Sequence, residues 1–137
     1  MSESHGAALR LRVSPGERAV CRLGPDAPLA PWMTGGAWTS VTRTATELSV
    51  VCSADAVPAG VRCEGGWAAL EVAGPLDFGL TGVLASLAAP LAEASLPLFV
   101  VSTFDTDWLL VRSAHLGRVS KALTAAGHHV ETGQDPS

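Results

Sequence analysis

The sequence predicts an α+β fold whose second half runs strand, helix, strand, strand, helix, strand, and three observations lead there. Between Gly65 and Thr132 the apolar repeat changes from alternating residues to steps of three and four, and back, twice. The changes fall at Gly, Pro and short polar runs, where chains turn. Finally, 137 residues with 47% apolar and 16% charged content suit one well-cored domain or two small ones sharing a core, not two large ones. That element order is the split βαβ unit, in which two helices lie on one face of an antiparallel four-stranded sheet.

The first half carries the weaker signal. ALRLRV and RAVCRL are strand-like runs around the turn Ser14-Pro15-Gly16, and Pro25, Pro28 and Pro31 make the following segment a loop. WTSVTRT and ELSVVCS then form a hairpin, and no long amphipathic helix appears. This half reads as a helix-poor relative of the second, too small to bury its own sheet and expected to share the other's core.

In the second half, GGWAALEVAG is a strand between Gly65-Gly66 and Gly74-Pro75. Leu80, Val83, Leu84, Leu87 and Leu91 then recur on one helical face, with Ser86 and Glu93 turned elsewhere. Pro90 has no N–H and crowds the carbonyl of Ser86, so the helix should kink or tighten there. Leu98 to Ser102 and Trp108 to Arg112 are β-rich runs joined by the polar knot of STFDTDWLLV, a hairpin in which Asp105 shapes the turn. Ser113 is placed to cap a second helix that buries Leu116, Val119, Leu123 and Ala126, and Gly127 to end it. HHVET supplies the last strand. The expected division is 1–64, 65–132 and a disordered tail at 133–137.

A net charge of −4 with scattered Lys and Arg gives no basic field, which argues against a nucleic-acid partner. Cys21, Cys52 and Cys63 lack CxxC spacing, and an odd count favours reduced thiols and a cytoplasmic setting. The N-terminus shows no secretory signal. The apolar stretch from Leu80 to Val101 is interrupted by Pro90, Glu93 and Pro97, against a membrane span. Asp105 and Asp107 form a DxD without the further oxygen ligands a hard cation needs, and His128 and His129, adjacent on a strand, point to opposite faces. No metal or cofactor is expected. Nucleophile elbow, HExxH and P-loop patterns are absent, so nothing nominates an enzyme.

The runs TRTATELSVVC, WAALEVAGPLDFGLTGVLASLAAPLAEASLPLFVVSTFDTDWLLV and AGHHVE resemble small bacterial tandem ACT-domain proteins, and are similar to the ACT domains of the cytosolic arginine sensors of the TOR pathway. The resemblance implies a tandem of ferredoxin-like βαββαβ modules, the first degenerate and helix-poor. It implies a non-catalytic regulatory protein that binds an amino acid or related small metabolite at an ACT domain or subunit interface, as a homodimer. Carried over by position, the ligand contacts fall on Thr81, Gly82, Ser86, Leu87, Thr103, Phe104 and Asp107. Arginine-reading copies have an acid where this chain has Leu80, so a guanidinium lacks that partner here. Asp107 can accept from a ligand ammonium, and backbone N–H groups near Thr81 and Gly82, at a helix start, can donate to its carboxylate. The alternative is a protein-interaction module with no ligand.

Overall fold

The structure, a computed structural model, describes residues 8–73 and 82–131. Along the chain lie β1 (Arg10–Val13), β2 (Arg18–Leu23), α1 (Pro31–Thr34), β3 (Ser40–Arg43), β4 (Leu48–Ser53), β5 (Arg62–Val72), α2 (Val83–Glu93), β6 (Leu98–Ser102), β7 (Asp107–Arg112), α3 (Leu116–Ala125) and β8 (His129–Glu131). Short 3-10 turns sit at Ala54–Ala56 and Ser113–His115. No helix of the described residues is long and apolar enough to cross a membrane. The chain divides into a unit from Gly16 to Trp67 and a second made of the residues before and after it.

In the first unit the strands lie in the order β3-β4-β2-β5, with each pairing antiparallel and β5 contributing its residues up to Trp67. Its last strand is beside its first, its first beside its third, and its third beside its second. The helix-poor half is therefore a complete strand set in which α1 has four residues and the second helix is reduced to a 3-10 turn. It also has a buried cluster of its own, contrary to the expectation of a shared core. Alternation along β2 and β4 turns Ala19, Cys21, Leu48, Val50 and Cys52 inward, and α1 adds Met33. Pro31, in the first turn of α1, starts that helix where its missing N–H costs nothing. Arg18 is buried too, with its guanidinium 5.7 Å from the Trp38 ring centroid, and burial lowers its pKa.

The second unit has the order β6-β7-β5-β1-β8, and here the sequence reading is corrected. ALRLRV and RAVCRL do not form a hairpin. β1 pairs instead with β5, Leu11 opposite Val72, and in parallel with β8, Leu11 opposite Val130. The four-stranded sheet expected here has thus gained β1 between its first and last strands. The insertion follows from alternation: Leu11 is wholly buried, while Arg10 and Arg12 point outward between two acidic neighbours. Arg12 lies 3.5 Å from Glu71 on one side and 3.9 Å from Glu131 on the other, and Arg10 lies 3.3 Å from Glu131. Such exposed pairs contribute little individually, but a one-residue slip would turn Leu11 out of the core and the arginines into it.

The core of this unit joins Leu11, Leu70, Val72, Leu87, Leu91, Leu109, Val111, Val119 and Leu123. Each such fully buried aliphatic side chain contributes about 1.5–3 kcal/mol over an exposed one. Leu84, expected on the buried face of α2, is 38% exposed. Ala126, expected inward on α3, is exposed, and Ala122 packs against the core instead. Ser113 does not cap α3: it opens the 3-10 turn, and its carbonyl accepts the Leu116 N–H. Gly127 does end that helix, at φ +99°, with its N–H donating to Thr124 O at 3.0 Å and the His128 N–H to Leu123 O at 3.0 Å. This is the double bond pattern of a left-handed helix stop.

Pro90 deprives the Ser86 carbonyl of its helical donor. His128, 7% exposed, replaces it, with Nε2 3.1 Å from Ser86 O. The Leu9 N–H donates to His128 Nδ1 at 3.1 Å, so Nδ1 is the acceptor and Nε2 carries the hydrogen.

Candidate functional site

Two local structures hold the residues singled out from the sequence: the start of α2 and the corner between β6 and β7. Thr81 and Leu80 lie outside the described residues. Gly82 is the N-cap of α2 with φ +81° and no side-chain cap bond. A Cβ there would meet nothing within 4 Å, so conformation rather than crowding calls for glycine. The first helical bond runs from the Ser86 N–H to Gly82 O at 2.9 Å. The N–H groups of Val83, Leu84 and Ala85 are consequently outside the helical ladder, at the positive end of the helix dipole.

Ser86 donates its hydroxyl back to Val83 O at 2.8 Å, the local bond a helix interior favours for serine. Leu87 is fully buried and belongs to the core that also contains Leu109 and Val111 of β7. α2 therefore packs on the face of the β6–β7 hairpin to which those residues point.

At the corner, the hydrogen bonds run through Thr103. Its N–H and its hydroxyl both donate to Thr106 O, at 2.7 and 2.9 Å, and its Oγ1 accepts the Thr106 N–H at 3.2 Å. The sequence reading gave the turn chemistry to Asp105 and reserved Thr103 for a ligand. Threonine takes the turn because its single oxygen can donate and accept across the same short loop. Phe104 at the tip is 79% exposed, a large apolar group in an outward position.

Asp107 opens β7 directly opposite Ser102, whose hydroxyl donates to Oδ1 at 2.6 Å. Ser102 was not singled out; the signal for it is that the two residues close the hairpin as mirror positions around the turn. Period-two alternation places Asp107 on the same face as Leu109 and Val111, the face α2 covers. Helix and strand lengths match: eleven residues of α2 span about 16 Å and five of β6 about the same. Only Ala94–Pro97 separate them. So short a link between a helix and a strand of equal length suits an antiparallel helix–strand pair, in which the helix start and the strand end fall on the same side. An acceptor at the start of β7 and the N–H groups of Val83, Leu84 and Ala85, outside the helical ladder, are the two polar elements of the candidate site. His128, which braces α2 from beneath, was legible in the sequence only as an unlikely metal ligand; among the described residues no group of three or more His, Cys, Asp or Glu could hold a metal.

Comparison with known proteins agrees with this architecture. A model of the ACT domain matches residues 62–125, and a model of an N-terminal domain matches 16–60. The chain is an ACT-domain protein with a ferredoxin-like α+β fold. It belongs to the family of protein Atu0741 from Agobacterium tumefaciens, whose crystal structure it matches with 36% identity and a TM-score of 0.90 over 96% of this chain and 98% of that one. More distant likenesses concern the fold. A Vibrio cholerae protein of unknown function, described as a possible transport protein, matches at 18% identity and TM-score 0.71 over 87% of this chain and 90% of that one. The ligand-free regulatory subunit of aspartate kinase from Thermus thermophilus matches at 14% identity and TM-score 0.58 over 85% and 96%.

Proposed function

We propose that this chain is a non-catalytic regulatory protein that binds an amino acid or related small metabolite through its C-terminal ACT domain. The observation that carries the reading is the first turn of α2, without a side-chain cap bond and able to donate to a carboxylate, alongside Asp107 at the start of β7, able to accept from an ammonium. The family membership and the use of this fold in a kinase regulatory subunit support it. Thr81 and Gly82 contact the ligand carboxylate, Asp107 holds the ammonium, Phe104 covers the apolar part from its exposed tip, and Ser86, Leu87 and Thr103 shape the walls. Two or three charge-assisted hydrogen bonds at about 1.5–3 kcal/mol each support millimolar binding. Tighter binding takes contacts from a second copy, so the working form is a homodimer in the cytoplasm with the ligand at the subunit interface. Leu80, where arginine-reading relatives have an acid, argues for a ligand other than arginine.

A thermal-shift screen of the twenty amino acids and close derivatives, to millimolar concentration, tests this, since a ligand that binds only the folded state raises its Tm. A stabilising ligand lost in Asp107→Ala is the expected result. No response from the wild type to any member of the set refutes the sensor reading, and recovery of the ligand chemically altered refutes a non-catalytic one.

A further inference from the structure

The first unit gathers three thiols that the ligand-binding reading does not use. Cys21 on β2 stands directly opposite Cys63 on β5, and Cys52 on β4, paired with Ala19, lies diagonally on Cys21's other side. Both neighbours, after burial, influence the Cys21 thiol electrostatically. Cys21 and Cys52 are buried, whereas Cys63 is exposed. Opposed residues of an antiparallel pair have Cβ atoms about 4.5–5.5 Å apart, and a disulfide takes about 3.5–4.5 Å, so a shift on the order of 1 Å closes the gap.

We propose that Cys63 is a site of reversible oxidation with Cys21 as its resolving thiol, so that a hydroperoxide converts the pair into an intrachain disulfide joining β2 to β5. The Cys63 thiolate sulfur attacks a peroxide oxygen; the S–O bond forms, the O–O bond breaks, and with hydrogen peroxide the other oxygen leaves as water after taking up a proton. The Cys21 sulfur, giving up its proton, then attacks the Cys63 sulfur; the S–S bond forms, the S–O bond breaks, and a second water departs. Two thiols are oxidised and one peroxide reduced, and a dithiol reverses the change. The order of roles follows from access. Cys63 meets solvent, while Cys21 is buried and shielded from the oxidant. Cys52 is buried as well, on the diagonal rather than opposite, and stays out of the bridge.

The test treats the full chain with hydrogen peroxide, alkylates the remaining thiols after unfolding, and maps the digest without reduction by mass spectrometry. The expected product is a linked Cys21–Cys63 peptide with Cys52 alkylated, reversed by dithiothreitol, abolished in Cys63→Ser and retained in Cys52→Ala. Because Cys63 is exposed, its serine variant keeps the native circular dichroism spectrum, which excludes unfolding as the cause of the loss. A Cys21–Cys52 link, a Cys63–Cys63 link between chains, or Cys63 driven to sulfinic or sulfonic acid with Cys21 free overturns the proposal.

Discussion

Replacing His128 by alanine strips two partly buried backbone groups of their partners at once: the Leu9 N–H, which donates to Nδ1 at 3.1 Å, and the Ser86 carbonyl, 3.1 Å from Nε2. Leaving a fully buried backbone group unsatisfied costs about 1–3 kcal/mol; with both groups partly exposed, the two together cost roughly 2–4 kcal/mol. That is a large share of the roughly 5–15 kcal/mol that holds a domain folded. At about 2–4 °C per kcal/mol for a chain of this order of size, the Tm falls by roughly 4–16 °C. The sharper measurement is a double-mutant cycle with Pro90→Ala, read by urea unfolding. Alanine restores an N–H that can bond Ser86 O, which matters more once the imidazole is gone. Pro90→Ala should therefore stabilise the His128→Ala protein more than it stabilises the wild type, by about 1 kcal/mol or more. Equal gains in both backgrounds would refute the assignment of His128 as the substitute donor for α2.

Gly127→Ala forces a non-glycine residue to φ +99° in the helix stop and should cost about 1–2 kcal/mol in chemical denaturation. Gly82→Ala should cost a similar amount, again from φ alone, since the added Cβ meets nothing. Thr103→Val removes the hydroxyl that both donates to and accepts from Thr106; a loss of about 1 kcal/mol is expected, against a change near zero for Asp105→Ala. The Cys21 thiol is raised from 9.0 to about 12 by burial, so the unfolded chain gives up this proton first. Stability is then complete below pH 9 and declines toward pH 12, by up to about 1.4 kcal/mol per pH unit from this group. Cys21→Ala should flatten that slope in unfolding curves recorded across the range.

Much of the second unit was readable because its signals are local. Leu87 and Leu91 sit a turn apart, the STFDTD corner separates two β-rich runs, and Gly127 follows the last periodic residue of α3; each depends on neighbours within a few positions. The local bonding of the candidate residues was not readable. Asp105 and Thr103 are equally good turn formers on paper, and only the closed loop shows which one bridges it. Ser86 and Leu87 carry no mark in sequence that separates a ligand wall from a helix-internal bond or a core position.

The sequence by itself determined most of the strand and helix order, the principal buried positions of α2 and α3 and the stop at Gly127, since alternation, helical period and left-handed stops are properties of short stretches of chain. Only the tertiary structure decided the partners. β1 could have paired with any strand offering an apolar face; it lies between β5 and β8 because burying Leu11 and setting Arg10 and Arg12 beside Glu71 and Glu131 require both at once, from positions some sixty and a hundred and twenty residues away in the chain. The same holds for His128 beneath α2 and Cys21 opposite Cys63, contacts created by packing distant segments and so absent from any local pattern.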